Sequence, residues 1–288
     1  MDIIDKRTKL EIDKRVKKIL AEVGAKEPPL NLNEVEDFLM INKYYYDLTD
    51  PGFLDEIKHK LHIGSRKVLS IIKKISLKAL FLPDSNQIAI DNEVPHSKEK
   101  WVTAHEIIHK TLPTHNQLLL GDTAETLDPD YHDMMEMEAN YGASSLIFLQ
   151  QIFTKEAAET DCTIKSVIQL SKRYKNSATS TLRRFVETNN SSPLAALVSK
   201  PIWLNDSDKN QRCRYYLKSP IFEKLFCNID SGLLMTIVDN NCYRCYGGPC
   251  GSDTDLLYDI NGRGHEFLFE SFFNQYDILT LVTHLKQR

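Results

Sequence analysis

Five residues, His105-Glu106-Ile107-Ile108-His109, constrain this chain more than any others, because the pattern makes chemical sense only on an α-helix. Residues four apart on a helix lie on one face, one turn apart, so both imidazoles can address one point. At nitrogen–metal distances of about 2 Å both can bind the same zinc ion. Glu106 sits one residue after the first histidine and three before the second. That offset carries its carboxylate beside a metal-bound water and not onto the metal. Zinc lowers the pKa of such a water towards about 7, and a neighbouring carboxylate can take its proton and deliver it to a leaving amine. So short a motif also arises by chance, and two surface histidines on an ordinary helix are the competing reading. The flanks favour the metal site. Trp101, Val102, Ile107, Ile108 and Leu112 give a helix over 97–112 an apolar side, Ser97 is placed to cap it, and Glu99 lies in its first turn.

A peptidase zinc needs a third protein ligand, and two residues compete for the place. His115 lies six residues after His109, the metzincin spacing, but Leu112-Pro113 replace the glycine on which that turn depends. Glu136 lies on a second helix predicted over 133–152, on one face with Ala139, Asn140 and Ala143. Small residues there let the two helices approach closely. Asn140, at i+4, is placed to orient a ligand histidine, whereas Glu138 points roughly 160° away from Glu136. Glu136 is therefore favoured, and His115 is left as a rim residue that contacts substrate or the oxyanion, or as a loop histidine without a role. From residue 111 to 154 there is no Lys or Arg, while Asp122, Glu125, Asp128, Asp130, Asp133, Glu136 and Glu138 are all acidic. Such surroundings favour a cation and a basic substrate segment. An acidic solvated loop is the plainer alternative.

Around this centre the chain divides into regions of different pattern. Residues 3–23 repeat Ile4, Ile12, Val16, Ile19, Leu20 and Val23 at helical spacing, closed by Gly24 and Pro28-Pro29, and a second helix starts near Asn33. The stretch 56–78 is rich in Lys and Arg and reads as a solvated helix face, with a phosphate-binding patch as the alternative. Two β-prone runs, 79–82 and 87–91, flank Pro83-Asp84-Ser85-Asn86 and read as a hairpin. The second run is expected to form an exposed edge to which substrate could add as a strand. Residues 163–188 read as two short helices, the second capped by Ser177, and Asn189-Asn190-Ser191-Ser192-Pro193 is a linker signal. Beyond it, runs at 194–198, 212–217, 233–238, 255–260 and 266–269 read as strands. The class is α+β, with a metal-binding domain over 1–152, a helical segment over 153–190 and a β-rich domain over 191–288.

Taken together, Thr103–Pro113, Glu136–Ile147, Leu170–Tyr174 and Ser177–Glu187 resemble the ImmA/IrrE family of metallo-endopeptidases. The resemblance is carried by residues 79–190. It implies a zincin-like catalytic domain, a helix-turn-helix-like segment and, as in IrrE-like members, a GAF-like C-terminal domain. It also implies that Glu136 is the third zinc ligand and that the substrate is a helix-turn-helix repressor, whose cleavage releases stress-response or mobile-element genes. Gly142 and Ser144-Ser145 depart from the bulkier or acidic residues of many members.

Other features bound the alternatives. A net charge of -4 gives no general pull towards nucleic acid. Lys172, Arg173, Lys175, Arg183 and Arg184 on the helix pair admit a DNA-binding reading, but packing beside the peptidase domain is favoured, since no dimer signal appears. A regulator that binds a repressor or DNA through 163–288 without cutting is the competing function. The opening Met1–Arg7 is charged, so no signal peptide is expected, and no apolar run suits a membrane. A cytoplasmic protein with reduced cysteines is the expectation. Among the six cysteines, Cys242, Cys245 and Cys250 cluster beside Gly247-Gly248-Pro249. With Cys227 or His265 they could complete a second, structural zinc site. They could equally be a redox-sensitive group or inert thiols.

Overall fold

The structure, a computed structural model, describes residues 4–47, 52, 79–82, 85–115, 129–203 and 212–288. The basic stretch 56–78, the turn residues Pro83 and Asp84, and Asp122, Glu125 and Asp128 lie outside the described residues. The chain separates into two compact units, Met1–Ile152 and Phe153–Arg288.

In the first unit, α1 (Lys6–Glu22) starts where the Asp5 carboxylate accepts the N–H groups of Arg7 and Thr8, at 3.0 and 3.3 Å. Ile12, Val16, Ile19 and Leu20 form its buried face, each aliphatic side chain contributing about 1.5–3 kcal/mol when fully buried. Gly24 follows with φ +64°, a left-handed conformation that needs no Cβ. Helix α2 (Leu32–Phe38) is capped by Asn31, whose side-chain oxygen accepts from the Asn33 N–H. Strands β1 (Asn42–Tyr46), β2 (Ala79–Leu82) and β3 (Gln87–Asp91) form a sheet of order β1-β3-β2. The hairpin forms as expected, with β2 antiparallel to β3. The proposed substrate edge does not: β3 is the central strand, paired with β1 on its other side, and Ile88, Ala89 and Ile90 are fully buried. The 87–91 run lacks strict polar alternation, which is the mark of a strand covered on both faces.

Helix α3 (His96–Thr111) packs against β2 and β3, and Ala104, Ile107 and Ile108 are among its buried residues. It begins after Pro95 without a side-chain cap, so Ser97 lies inside the first turn and not at the cap. Helix α4 (Pro129–Ile147) lies across α3, and α5 (Gln151–Ala158) follows the positive-φ residues Leu149 and Gln150. Tyr141 of α4 donates to the Asp13 carboxylate of α1 at 2.9 Å, and Gln150 donates to the Asp13 carbonyl at 2.8 Å. The approach of α4 to α3 depends on Gly142. A Cβ there would lie 2.7 Å from Ile108 Cγ2.

The second unit carries α6 (Ile164–Tyr174) and α7 (Ala178–Glu187), the latter capped by Ser177 as its sequence indicates. A turn built on the Asn189 side chain, which accepts the N–H groups of Ser191 and Ser192, leads into β4 (Leu194–Ser199). Then come β5 (Cys213–Lys218), α8 (Pro220–Leu225), α9 (Ser231–Asn241), β6 (Gly248–Tyr258), β7 (Gly264–Phe273) and β8 (Ile278–Gln287). The sheet order is β5-β4-β8-β7-β6, antiparallel throughout. Helices α8 and α9 pack on one face, around Phe222, Phe226, Phe267 and Phe269. Helices α6 and α7 also contact the sheet, and Glu270 of β7 accepts the Ile164 N–H. The run 233–238, expected as a strand, lies inside α9. The Asp230 carboxylate caps it by accepting the Leu233 N–H at 2.8 Å. A short apolar run cannot distinguish strand from helix by periodicity, and here the cap decides. Strands β1 and β8 were not anticipated. No helix among the described residues is long and apolar enough to cross a membrane.

Candidate metal centre

Helices α3 and α4 bring His105, His109 and Glu136 to one point. The His105 and His109 Nε2 atoms are 3.0 Å apart. Glu136 lies 3.1 Å from His105 Nε2 through one oxygen and 3.4 Å from His109 Nε2 through the other. A tetrahedral ion with bonds of about 2.0–2.1 Å separates its ligand atoms by about 3.3 Å. The two nitrogens and the carboxylate, taken through its two oxygens, stand near that separation, and one ligand atom from each lies within 4.8 Å of the others. Among the described residues they are the only group of three or more His, Cys, Asp or Glu whose ligand atoms lie within 4.8 Å of one another. The histidine side chains are 13% and 12% exposed and Glu136 is 38% exposed, so the centre opens to solvent on the α4 side.

Electrostatics agree with the geometry. Burial opposes ionisation of Glu136, but the neighbouring His105 and His109 outweigh it and hold the carboxyl well below the ordinary range. Burial disfavours the charged form of His105, yet Glu136 and the nearby Glu106 charge raise its pKa. A bound cation would be held by the same attraction.

The far side of each imidazole is also occupied. His105 Nδ1 lies 3.1 Å from Asn140 Oδ1, so its Nδ1–H donates to the amide oxygen and Nε2 keeps its lone pair for the centre. The i+4 spacing from Glu136 places Asn140 for this contact. His109 Nδ1 faces His115 Nδ1 at 2.9 Å, and His115 Nε2 faces Glu138 Oε2 at 3.0 Å. One tautomer set satisfies the whole line. Glu138 accepts the His115 Nε2–H, His115 Nδ1 accepts the His109 Nδ1–H, and His109 Nε2 turns its lone pair to the centre. His115 is thus neither a ligand nor a rim residue. Its side chain is fully buried behind His109, and burial lowers its pKa. On its helix Glu138 points away from Glu136. That direction is the one in which His115 lies. The two lie 23 residues apart in the chain, so spacing carries no signal for the pair.

Glu106 is buried beside the centre, and its Oε2 accepts the Phe81 N–H of β2 at 2.8 Å. An edge-strand amide therefore anchors the carboxylate, a contact the motif alone does not reveal. The remaining candidate ligands lie in the second unit. Cys250 is buried in the core of that unit, with Cys242 and Cys245 packed against it. Their sulfurs, with Cys227 or His265, form no ligand group among the described residues, so the second zinc site is not supported. His265 is instead turned to His284 at 3.1 Å and to Asp259 at 3.6 Å. On the helix pair, Arg173 is paired with Glu156 at 2.7 Å, and Arg183 lies over the Tyr215 ring. Part of the basic surface considered for DNA is therefore engaged within its own unit.

Residues 68–186 match the family model described as the IrrE N-terminal-like domain, a peptidase family. That span contains the centre and every residue oriented around it, and it bears out the resemblance to the ImmA/IrrE metallopeptidases. No curated protein matches the chain. Among solved structures, a Mycobacterium tuberculosis transcriptional regulator is similar with a TM-score of 0.56 at 10% identity, covering 96% of this chain and 76% of that one. At that identity the likeness is one of fold.

Proposed function

We propose that this chain, which carries the IrrE N-terminal-like domain of the ImmA/IrrE metallopeptidases over residues 68–186, is a zinc-dependent endopeptidase. Its substrate, on this reading, is a cytoplasmic regulatory protein of the helix-turn-helix repressor class. The observation that carries the proposal is the convergence of two imidazole nitrogens and one carboxylate within 4.8 Å of one another, with Glu106 buried alongside. A two-nitrogen, one-oxygen donor set with a position left for solvent suits catalytic zinc.

When bound, zinc would supply Lewis acidity to a water and to the scissile carbonyl. His105, His109 and Glu136 would hold it. Asn140 keeps the proton of His105 on Nδ1, and His115 with Glu138 keeps that of His109 on Nδ1, so both Nε2 lone pairs stay directed at the centre. The Phe81 amide fixes Oε2 of Glu106. Oε1 is then the oxygen that takes a proton from the attacking water and returns it to the departing amide nitrogen.

The test is co-expression with a candidate helix-turn-helix repressor and a search for a metal-dependent fragment. Glu106→Gln is expected to keep about one zinc per chain and to yield no fragment. A second reading, a regulator that binds without cutting, is favoured by the fold likeness to a protein named as a transcriptional regulator. It would displace the first if Glu106→Gln retained full biological activity.

A further inference from the structure

The thiols of the second unit, which form no ligand group among the described residues, are placed for another chemistry. Strand β6 has a bulge at its start. Pro249 pairs with Phe272 and Gly251 with Ser271, so Cys250 is the inserted residue. A bulge lets two consecutive residues oppose one partner and re-aims the extra side chain. Here it turns Cys250 into the core, where its side chain is fully buried. The end of α9 lies against the same place. The Tyr243 N–H donates to the Cys250 carbonyl at 2.8 Å, and the Tyr243 hydroxyl donates to the Pro249 carbonyl at 3.3 Å. A Cβ at Gly251 would lie 2.3 Å from the Asn241 carbonyl oxygen and 3.2 Å from Cys242 Cα. Only glycine permits so close an approach, and it presses Cys242, the C-cap of α9, onto the bulge. Cys242 and Cys250 are consequently neighbours, with Ser271 beside Cys242 and Cys245 beside Cys250.

The two thiols are not equivalent. Cys242 is partly exposed and Cys250 is not. The contact with Cys250 pulls the Cys242 thiol pKa down against the opposing effect of burial, with help from Ser271. The same contact, together with burial, pushes Cys250 up. The thiolate is the nucleophilic form, so the accessible sulfur is also the reactive one. A zinc ion would need the sulfurs about 3.8 Å apart at bonds of about 2.3 Å. The three are not all within even 4.8 Å of one another. A disulfide needs only two.

We propose that Cys242 and Cys250 form a peroxide-reactive thiol pair in which Cys242 is the attacking residue and Cys250 the resolving one. In the first step the Cys242 thiolate attacks a peroxide oxygen. The S–O bond forms, the O–O bond breaks, and hydroxide leaves. In the second, the Cys250 sulfur attacks the resulting sulfenic acid. The S–S bond forms, the S–O bond breaks, and the departing oxygen leaves as water with the Cys250 proton. Two electrons pass from the thiol pair to the peroxide, and a dithiol reductant reverses the change. The disulfide would join the end of α9 to the start of β6 across a contact that already exists.

Hydrogen peroxide added to the reduced full-length protein provides the test, with free thiols counted and peptides mapped without reduction. Wild type is expected to lose two of its six thiols and to yield one cross-linked species joining Cys242 to Cys250. Cys250→Ser should leave a sulfenic acid at Cys242 that dimedone traps, and Cys242→Ser should react no faster than the other cysteines. The mapping on wild type stands even if a variant fails to fold. Three outcomes would overturn the proposal: oxidation spread evenly over the cysteines, no cross-link at this pair, or metal found bound to these sulfurs.

Discussion

The two units differ in what fills their interiors. In the first, the buried imidazoles and carboxylates form directed lines. Glu138, His115 and His109 make one, Asn140 and His105 the other, and both end with a lone pair at the same point. In the second, the core on one face of the sheet is aromatic and aliphatic around Phe222, Phe226 and Phe267. Buried side-chain atoms without a hydrogen-bond partner occur in both units, Thr103 Oγ1 and Ser145 Oγ in the first and Ser199 Oγ in the second. A polar line that satisfies itself and still leaves a common acceptor point is costly to build by chance. In the second unit the buried His265 is turned to His284 and Asp259, and among the described residues no third ligand joins them at one point.

Four substitutions would break or sharpen that contrast. The largest effect is expected from Glu106→Gln, which should lower the cleavage rate about 10²–10⁴-fold, the usual contribution of a general base. Metal content and melting temperature should stay near wild type. Loss of zinc together with activity would mean that Glu106 belongs to the ligand set. Next, Phe267→Ala should cost about 3–5 kcal/mol in denaturant unfolding, since its ring is fully buried against Phe222 and Phe226. A loss below 1 kcal/mol would show that the aromatic cluster is not what stabilises that unit.

Smaller again, Glu138→Gln should weaken zinc affinity about 10–100-fold by loosening the line behind His109. A competitive chelator titration measures this, and an unchanged affinity would sever His115 and Glu138 from the centre. Smallest, Gly142→Ala should destabilise the first unit by about 1–3 kcal/mol, because the added methyl meets the Ile108 side chain. If the melting temperature does not move, the α3–α4 contact is looser than the geometry implies.

Legibility in the sequence followed the range of the interaction. The α3 helix, the hairpin and the α6–α7 pair with its Ser177 cap are set by spacing within a few residues, and each was readable. So was Glu136 with Asn140, because one helical turn separates them on the face that meets α3. The substrate-edge reading failed at 87–91 because strand order is decided by β1, some forty residues away. The strand expected at 233–238 failed for a nearer reason, since a buried apolar run is compatible with either structure until its cap is weighed.

What the sequence determined by itself is the reactive triad of residue types on α3 and the helical period that aims His105 and His109 the same way. That follows from chain geometry, which needs no distant partner. Tertiary structure alone decided how the centre is held: His115 and Glu138 behind His109, the Phe81 amide on Glu106, and the glycine-sized gap at residue 142 that lets Glu136 arrive. Each of these joins groups whose separation along the chain carries no record of their separation in space.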